Sequence, residues 1–314
     1  MLTLPIFLAL LAGLANGSFL APIKKNMKNV SSIWLAFAFL TYFLFSTIVL
    51  IIAIICHKYR LPPTATIIIL LTGIFYGFGL YLLTISIKHI GIGIPLALNI
   101  SLGILSGSFF SVLVSGKFGG LFNSHFFVAY CMIFLAIILY AIALSCRDKN
   151  TVALWKKGFI YALVGSLFCA TQGACLSFYS DMLKSLNQGY LSQLIPWALI
   201  FMSCSVIFML SHHRQYKLSS NVEKINLKKV IIAASTMTAL QVISILIYTF
   251  ANIKTEQYSQ LYLWGIFMVC IVLSSTICSY LKKEWNLLNV RANIYNAIAI
   301  LMLIASVIIL ALGS

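Results

Sequence analysis

A chain of 314 residues with only 8% charged side chains against 62% hydrophobic ones, and a mean hydropathy of +1.04, is not an ordinary soluble domain. Such domains keep roughly a quarter of their residues charged, so this composition places the chain in a bilayer. The net charge of +16 invites a nucleic-acid partner, but the placement of the basic residues, given below, makes it a signature of membrane orientation instead.

The predicted elements are ten apolar runs: 2–23, 33–56, 66–87, 90–115, 125–146, 158–180, 190–211, 229–252, 258–281 and 291–313. Each is close to the ~20 residues that carry a helix across a bilayer. The runs are continuously apolar, whereas barrel strands alternate over about ten residues, so an all-α membrane protein is predicted. The first run, with "LPIFLALLAGLANG", has the core of a signal peptide. However, no Lys or Arg precedes it and the apolar stretch continues to Ile23, so it is read as a retained helix. Runs 3 and 4 are separated only by Lys88 and His89. In run 4, "GIGIPLALNISLGILSG", Pro95 removes a backbone donor and is expected to kink or break the helix just before Asn99.

The longest polar breaks are 147–157 and 212–228. The first divides the chain into 1–150 and 151–314, with five runs in each part. Five is odd, so two such units in series have opposite orientations in the membrane. That is the inverted-repeat arrangement of many secondary transporters. With ten crossings, sixteen of the 21 Lys and Arg fall on one side and only Lys58, Arg60, Lys117, Lys184 and Lys254 on the other. Cytoplasmic loops carry the excess of Lys and Arg, so both termini are predicted outside.

Lipid offers no partners to polar groups, so polar side chains within the runs face protein or a water-filled cavity. Asn16, Asn99, Gln172, Gln193, Gln241, Tyr258 and Gln260 are the candidates for solute binding. Gln193 with Trp197, and Gln260 with Trp264, are each four residues apart and share a helix face. An amide beside an indole suits a sugar, the amide bonding hydroxyls and the ring covering a C–H face. The same residues also serve as interfacial anchors or as hydrogen bonds between helices. None of the five acids, Asp148, Asp181, Glu223, Glu256 and Glu284, lies deep in a run. The eight cysteines lack metal-ligand spacing and read as small buried hydrophobes. No hydrolase, zinc-protease or P-loop motif is present, so neither an enzyme nor a cofactor is expected.

Four stretches carry a family resemblance: "GSFLAPIKK" (17–25), "GIFYGFGLYLLTISIKHIGIGI" (73–94), "EQYSQLYLWG" (256–265) and "LKKEWN" (281–286). Together they resemble the L-rhamnose–proton symporter family of the drug/metabolite transporter superfamily. The resemblance implies ten transmembrane helices in two inverted five-helix repeats, a central cavity with alternating access, and sugar uptake coupled to protons across a bacterial inner membrane. Glu256 is then the coupling candidate. The family pattern has an acid soon after the Gln-Tyr pair, where this chain has Ser259 and Gln260. Export of amino acids or drug-like metabolites, and a non-transporting sensor or assembly partner, are the alternatives. A homodimer is compatible with each.

Overall fold

The computed structural model describes residues 3–24, 30–59, 61–91, 93–114, 124–146, 152–185, 189–218, 226–254, 260–281 and 289–312. Ten long helical rods occupy them. Helix α1 (Thr3–Ser18) ends in a turn that leads to a short helix, Ala21–Lys24. Helix α2 covers 30–55, and its middle, Ala38–Phe45, is wound as a π-helix. Then follow α3 (Pro63–Ile90), α4 (Gly93–Val114), α5 (Ser124–Ser145), α6 (Val152–Ser185), α7 (Tyr190–Leu218), α8 (Leu227–Ile253), α9 (Gln260–Leu281) and α10 (Val290–Leu312).

Among the described residues, seven helices are long and apolar enough to cross a membrane. Shorter apolar stretches at Gly93–Ser106, Phe127–Ala143 and Ile266–Cys278 accompany them. The chain is an all-α, multi-pass membrane protein. Large apolar side chains such as Ile55, Phe127, Phe134 and Leu301 point outward, as a surface solvated by lipid tails allows. Hydroxyls within the helices cope with lipid by bonding the carbonyl one turn back, as Thr72, Thr84 and Ser101 do to Ile68, Leu80 and Ala97.

Two local expectations need correction. Lys88 and His89 do not separate α3 from α4, because α3 runs through both to Ile90. The break falls at Gly91, whose φ of 87° lies in the left-handed region that glycine reaches without strain. Nor does Pro95 break α4. It sits in the first turn, where the missing N–H has no intrahelical partner to lose. The cysteines also divide: Cys169, Cys175, Cys204 and Cys270 are buried, while Cys56 and Cys131 are exposed.

The helix partners follow a pattern. Helix α3 packs along α6 and α7, while α8 packs along α1 and α2. Helix α4 lies on α6 and α9 lies on α1. Across the middle, α2 meets α7, α4 meets α9, and α5 meets α10. Exchanging every helix for the one five places along the chain leaves these pairings unchanged. The correspondence extends to single bonds. Ser106 Oγ on α4 donates to the Ala170 carbonyl on α6 at 2.8 Å, and Ser274 Oγ on α9 donates to the Leu14 carbonyl on α1 at 2.9 Å. Setting Leu14 on Ala170 carries Asn16-Gly17 onto Gln172-Gly173. Setting Ser106 on Ser274 carries Gly103 onto Ile271, and a Cβ on Gly173 or Gly17 would meet those two carbonyls respectively. Small residues thus let the helices approach closely, as is usual where the hydrophobic effect does not drive association.

Candidate functional site: a central cavity with unmet polar groups

A cavity of about 90 Å³ lies between α1, α2, α3, α4, α6, α7, α8 and α9. Each helix gives it one face. On α3 the lining positions are Tyr76, Leu80, Leu83 and Ile87, the four-three-four spacing of a single helical stripe. On α9 they are Trp264, Phe267, Met268 and Ile271.

The cavity brings together Asn16, Asn99, Gln172, Trp197, Gln241 and Trp264. They come from six helices, two in the first half of the chain and four in the second. Gln193 is placed otherwise. It is buried one turn before Trp197 but is not part of the cavity wall, so the pair that shares a helix face is divided. The side chain of Gln260, and all of Glu256 and Tyr258, lie outside the described residues.

One lining residue, Trp34, has no place among the sequence candidates. It stands near the start of α2, stacked on Phe208 with centroids 5.6 Å apart and edge-on to Phe37 at 5.4 Å. In the sequence it reads as one more aromatic near a helix end, where such residues are common. Tyr76 also lines the cavity, and Tyr42 lies close beside it. Tyr42 lies in the π-wound part of α2. One residue earlier, Thr41 Oγ1 donates to Thr238 Oγ1 on α8 at 2.9 Å. The π segment therefore places two successive polar side chains against two different helices, a use of π geometry common near functional sites.

The polar chemistry is unfinished. Trp34 Nε1, Gln172 Nε2, Gln241 Oε1 and Trp264 Nε1 are all buried without a hydrogen-bond partner, and all four residues line this one cavity. A buried unmet polar group costs roughly 1–3 kcal/mol. The two indoles are donors only, so they cannot satisfy each other. Among the described lining residues there is no Lys, Arg, His, Asp or Glu. The arrangement can therefore hold a neutral molecule rich in hydrogen-bond acceptors, lying against aromatic faces. At about 90 Å³ the space is well below the roughly 300–1,000 Å³ of ligand pockets. Among the described residues no group of three His, Cys, Asp or Glu is placed to hold a metal ion.

No family model, curated protein or solved structure matches the chain.

Proposed function

We propose that the protein is a secondary transporter of a small neutral polar solute, a sugar first among them, working by proton symport and alternating access. The observation that carries this reading is the set of four unmet buried polar atoms on α2, α6, α8 and α9 around one cavity. Other buried polar atoms are also unmet, among them those of Ser46, Tyr140 and Ser166, but these four gather around one cavity where a single bound solute can satisfy them together. The exchange-invariant helix pairing and the matched Ser106 and Ser274 bonds support ten crossings arranged as two inverted repeats. That arrangement agrees with the resemblance to the L-rhamnose–proton symporters within the drug/metabolite transporter superfamily. The Lys and Arg excess supports both termini lying outside, and a bacterial inner membrane is what the resemblance implies. No carboxylate stands among the described lining residues, so the coupling role rests on Glu256. A catalytic role is not part of this reading.

One observation favours a second reading, export of drug-like metabolites. Aromatic rings outnumber amides on the cavity wall, with Phe19, Trp34, Tyr76, Trp197, Trp264 and Phe267 against Asn16, Asn99, Gln172 and Gln241. Zwitterionic amino acids fit less well, because two charges leaving water need paired charges in the site.

The test is uptake into proteoliposomes over a panel of neutral sugars, polyols and flat aromatic metabolites, with and without an imposed proton gradient. Sugar flux that rises with an inward proton gradient is the expected result. Flux of aromatic solutes alone supports export, and no flux of any solute contradicts transport. Within this assay Trp34→Phe, which keeps a ring and removes the N–H, is expected to raise the half-saturating concentration about fivefold, the value of roughly one hydrogen bond.

A further inference from the structure

We propose that Tyr248 is the gate that closes the cavity at its Lys254 end, and that Ile87 is the matching gate at its Lys88 end. The assignment rests on the transport reading. It begins from the correspondence of α3 with α8, both of which reach the cavity wall near mid-length, at Leu80 and Gln241. Setting Leu80 on Gln241 carries Gly77 onto Thr238, Leu83 onto Ser244 and Ile87 onto Tyr248. The register has independent support. Gly77 packs against Cys204 of α7 and Thr238 bonds Thr41 of α2, and α2 and α7 are themselves corresponding helices.

The two arms of the cavity differ in that register. On α3 the wall continues past Leu80 through Leu83 to Ile87, which is about 10 Å further at 1.5 Å per residue. On α8 it stops at Gln241, and the next positions of the same stripe, Ser244 and Tyr248, are buried away from it. Three rings fill the closed arm. Tyr248 lies 4.5 Å from Phe267 and 5.6 Å from Trp264, and those two are 5.7 Å apart, centroid to centroid. The corresponding positions on α4 are Asn99 and Leu96, which bear no ring and face the hollow arm beside Ile87. The protein is thus closed at one end by an aromatic cluster and hollow toward the other.

The closed arm has a polar interior. Ser244 Oγ is fully buried and has no hydrogen-bond partner, and Asn252, one turn beyond Tyr248, is also buried. With Gln241 these form a polar stripe along α8, which becomes wet when Tyr248 leaves Phe267. In that alternate state Ile87 settles against Leu96 and Asn99 and closes the other arm.

Cys169 provides a reporter, because it lines the cavity. A membrane-impermeant thiol reagent is applied to right-side-out and to inside-out vesicles in turn, and modification of Cys169 is read by peptide mass spectrometry, with Cys169→Ser as the blank. In the wild type, labelling is expected to be faster from the Lys88 side. Tyr248→Ala is expected to raise labelling from the Lys254 side about tenfold, the shift expected from losing two aromatic contacts. Phe267→Leu, which removes the facing ring with less loss of volume, is expected to act in the same direction. Tyr248→Phe keeps the ring and is expected to label as the wild type does. Unchanged Lys254-side labelling in both Tyr248→Ala and Phe267→Leu overturns the gate, whatever the flux. Absence of all solute flux beside the expected sided labelling contradicts transport and leaves the two-ended closure standing.

Discussion

Gln241→Leu is expected to move stability and binding in opposite directions. Gln241 sits at the middle of α8, buried, and its Oε1 has no partner. Leucine fills nearly the same space and removes the unmet group, so the solute-free protein gains about 1–3 kcal/mol. For a chain of this size each kcal/mol is worth roughly 2–4 °C, so the variant melts several degrees higher. The same change deprives a bound solute of an acceptor. Binding weakens about ten- to a hundredfold, at 1.4 kcal/mol per decade. Differential scanning of the purified protein, alone and with solute, checks both signs together. A variant that melts lower than the wild type and binds normally would mean that the glutamine is an ordinary structural residue. Stability gained where function is lost is the usual mark of a binding site built against the interests of the fold.

Gly79→Val is expected to have the largest effect on assembly. A Cβ at Gly79 would lie 2.6 Å from the Gly165 carbonyl oxygen and 2.8 Å from the Cys169 backbone nitrogen. Reciprocally, a Cβ at Gly165 would lie 2.8 Å from the Gly79 carbonyl. Both obstacles are backbone, so no side chain can rotate away, and α3 and α6 must separate. Overpacking typically costs about 1–3 kcal/mol when side chains can yield, and here the upper part of that range or more is expected. A fall in melting temperature of roughly 5–10 °C or loss of monodisperse protein is the corresponding readout. Gly103→Ala is the control, since its Cβ would meet nothing closer than Met268 Cε at 3.9 Å, and it is expected to melt within about 2 °C of the wild type. Equal melting of all three proteins would show that the α3–α6 contact is not as close as described.

The sequence made some of this legible for a simple reason. In a chain this apolar, Asn16, Asn99, Gln172 and Gln241 stand out, because lipid gives an amide no partner. The spacing from Gln260 to Trp264 marked a helix face that reaches the cavity through the indole. Other features depended on contacts between helices, which periodicity does not encode. Trp34 reads from sequence as one more aromatic near a helix end, and only the packing of α2 on α7 and α8 brings it to the cavity. Tyr248 is unremarkable until the rings of Phe267 and Trp264 are placed beside it. The π winding of Ala38–Phe45 leaves no mark in a stretch where every residue suits a membrane helix. The role of Pro95 depended on where α4 begins, two residues before it, and that in turn on the left-handed turn at Gly91. Which helix lies against which was likewise set by glycines and serines at single contacts such as Gly79–Gly165 and Ser106–Ala170.

The central claim, that this cavity binds a neutral polar solute through groups left unpaired for it, is tested most directly by ligand-induced thermal shift. The wild type and the double variant Gln241→Leu/Trp264→Phe are screened side by side against neutral sugars, polyols and small aromatic metabolites. At about a hundred times Kd a bound solute stabilises a protein by roughly 2.7 kcal/mol, so at least one solute is expected to raise the wild-type melting temperature by about 5–10 °C. The double variant, more stable when empty, is expected to show no shift with that solute. No shift of the wild type with any solute, or an equal shift of both proteins, would contradict the claim.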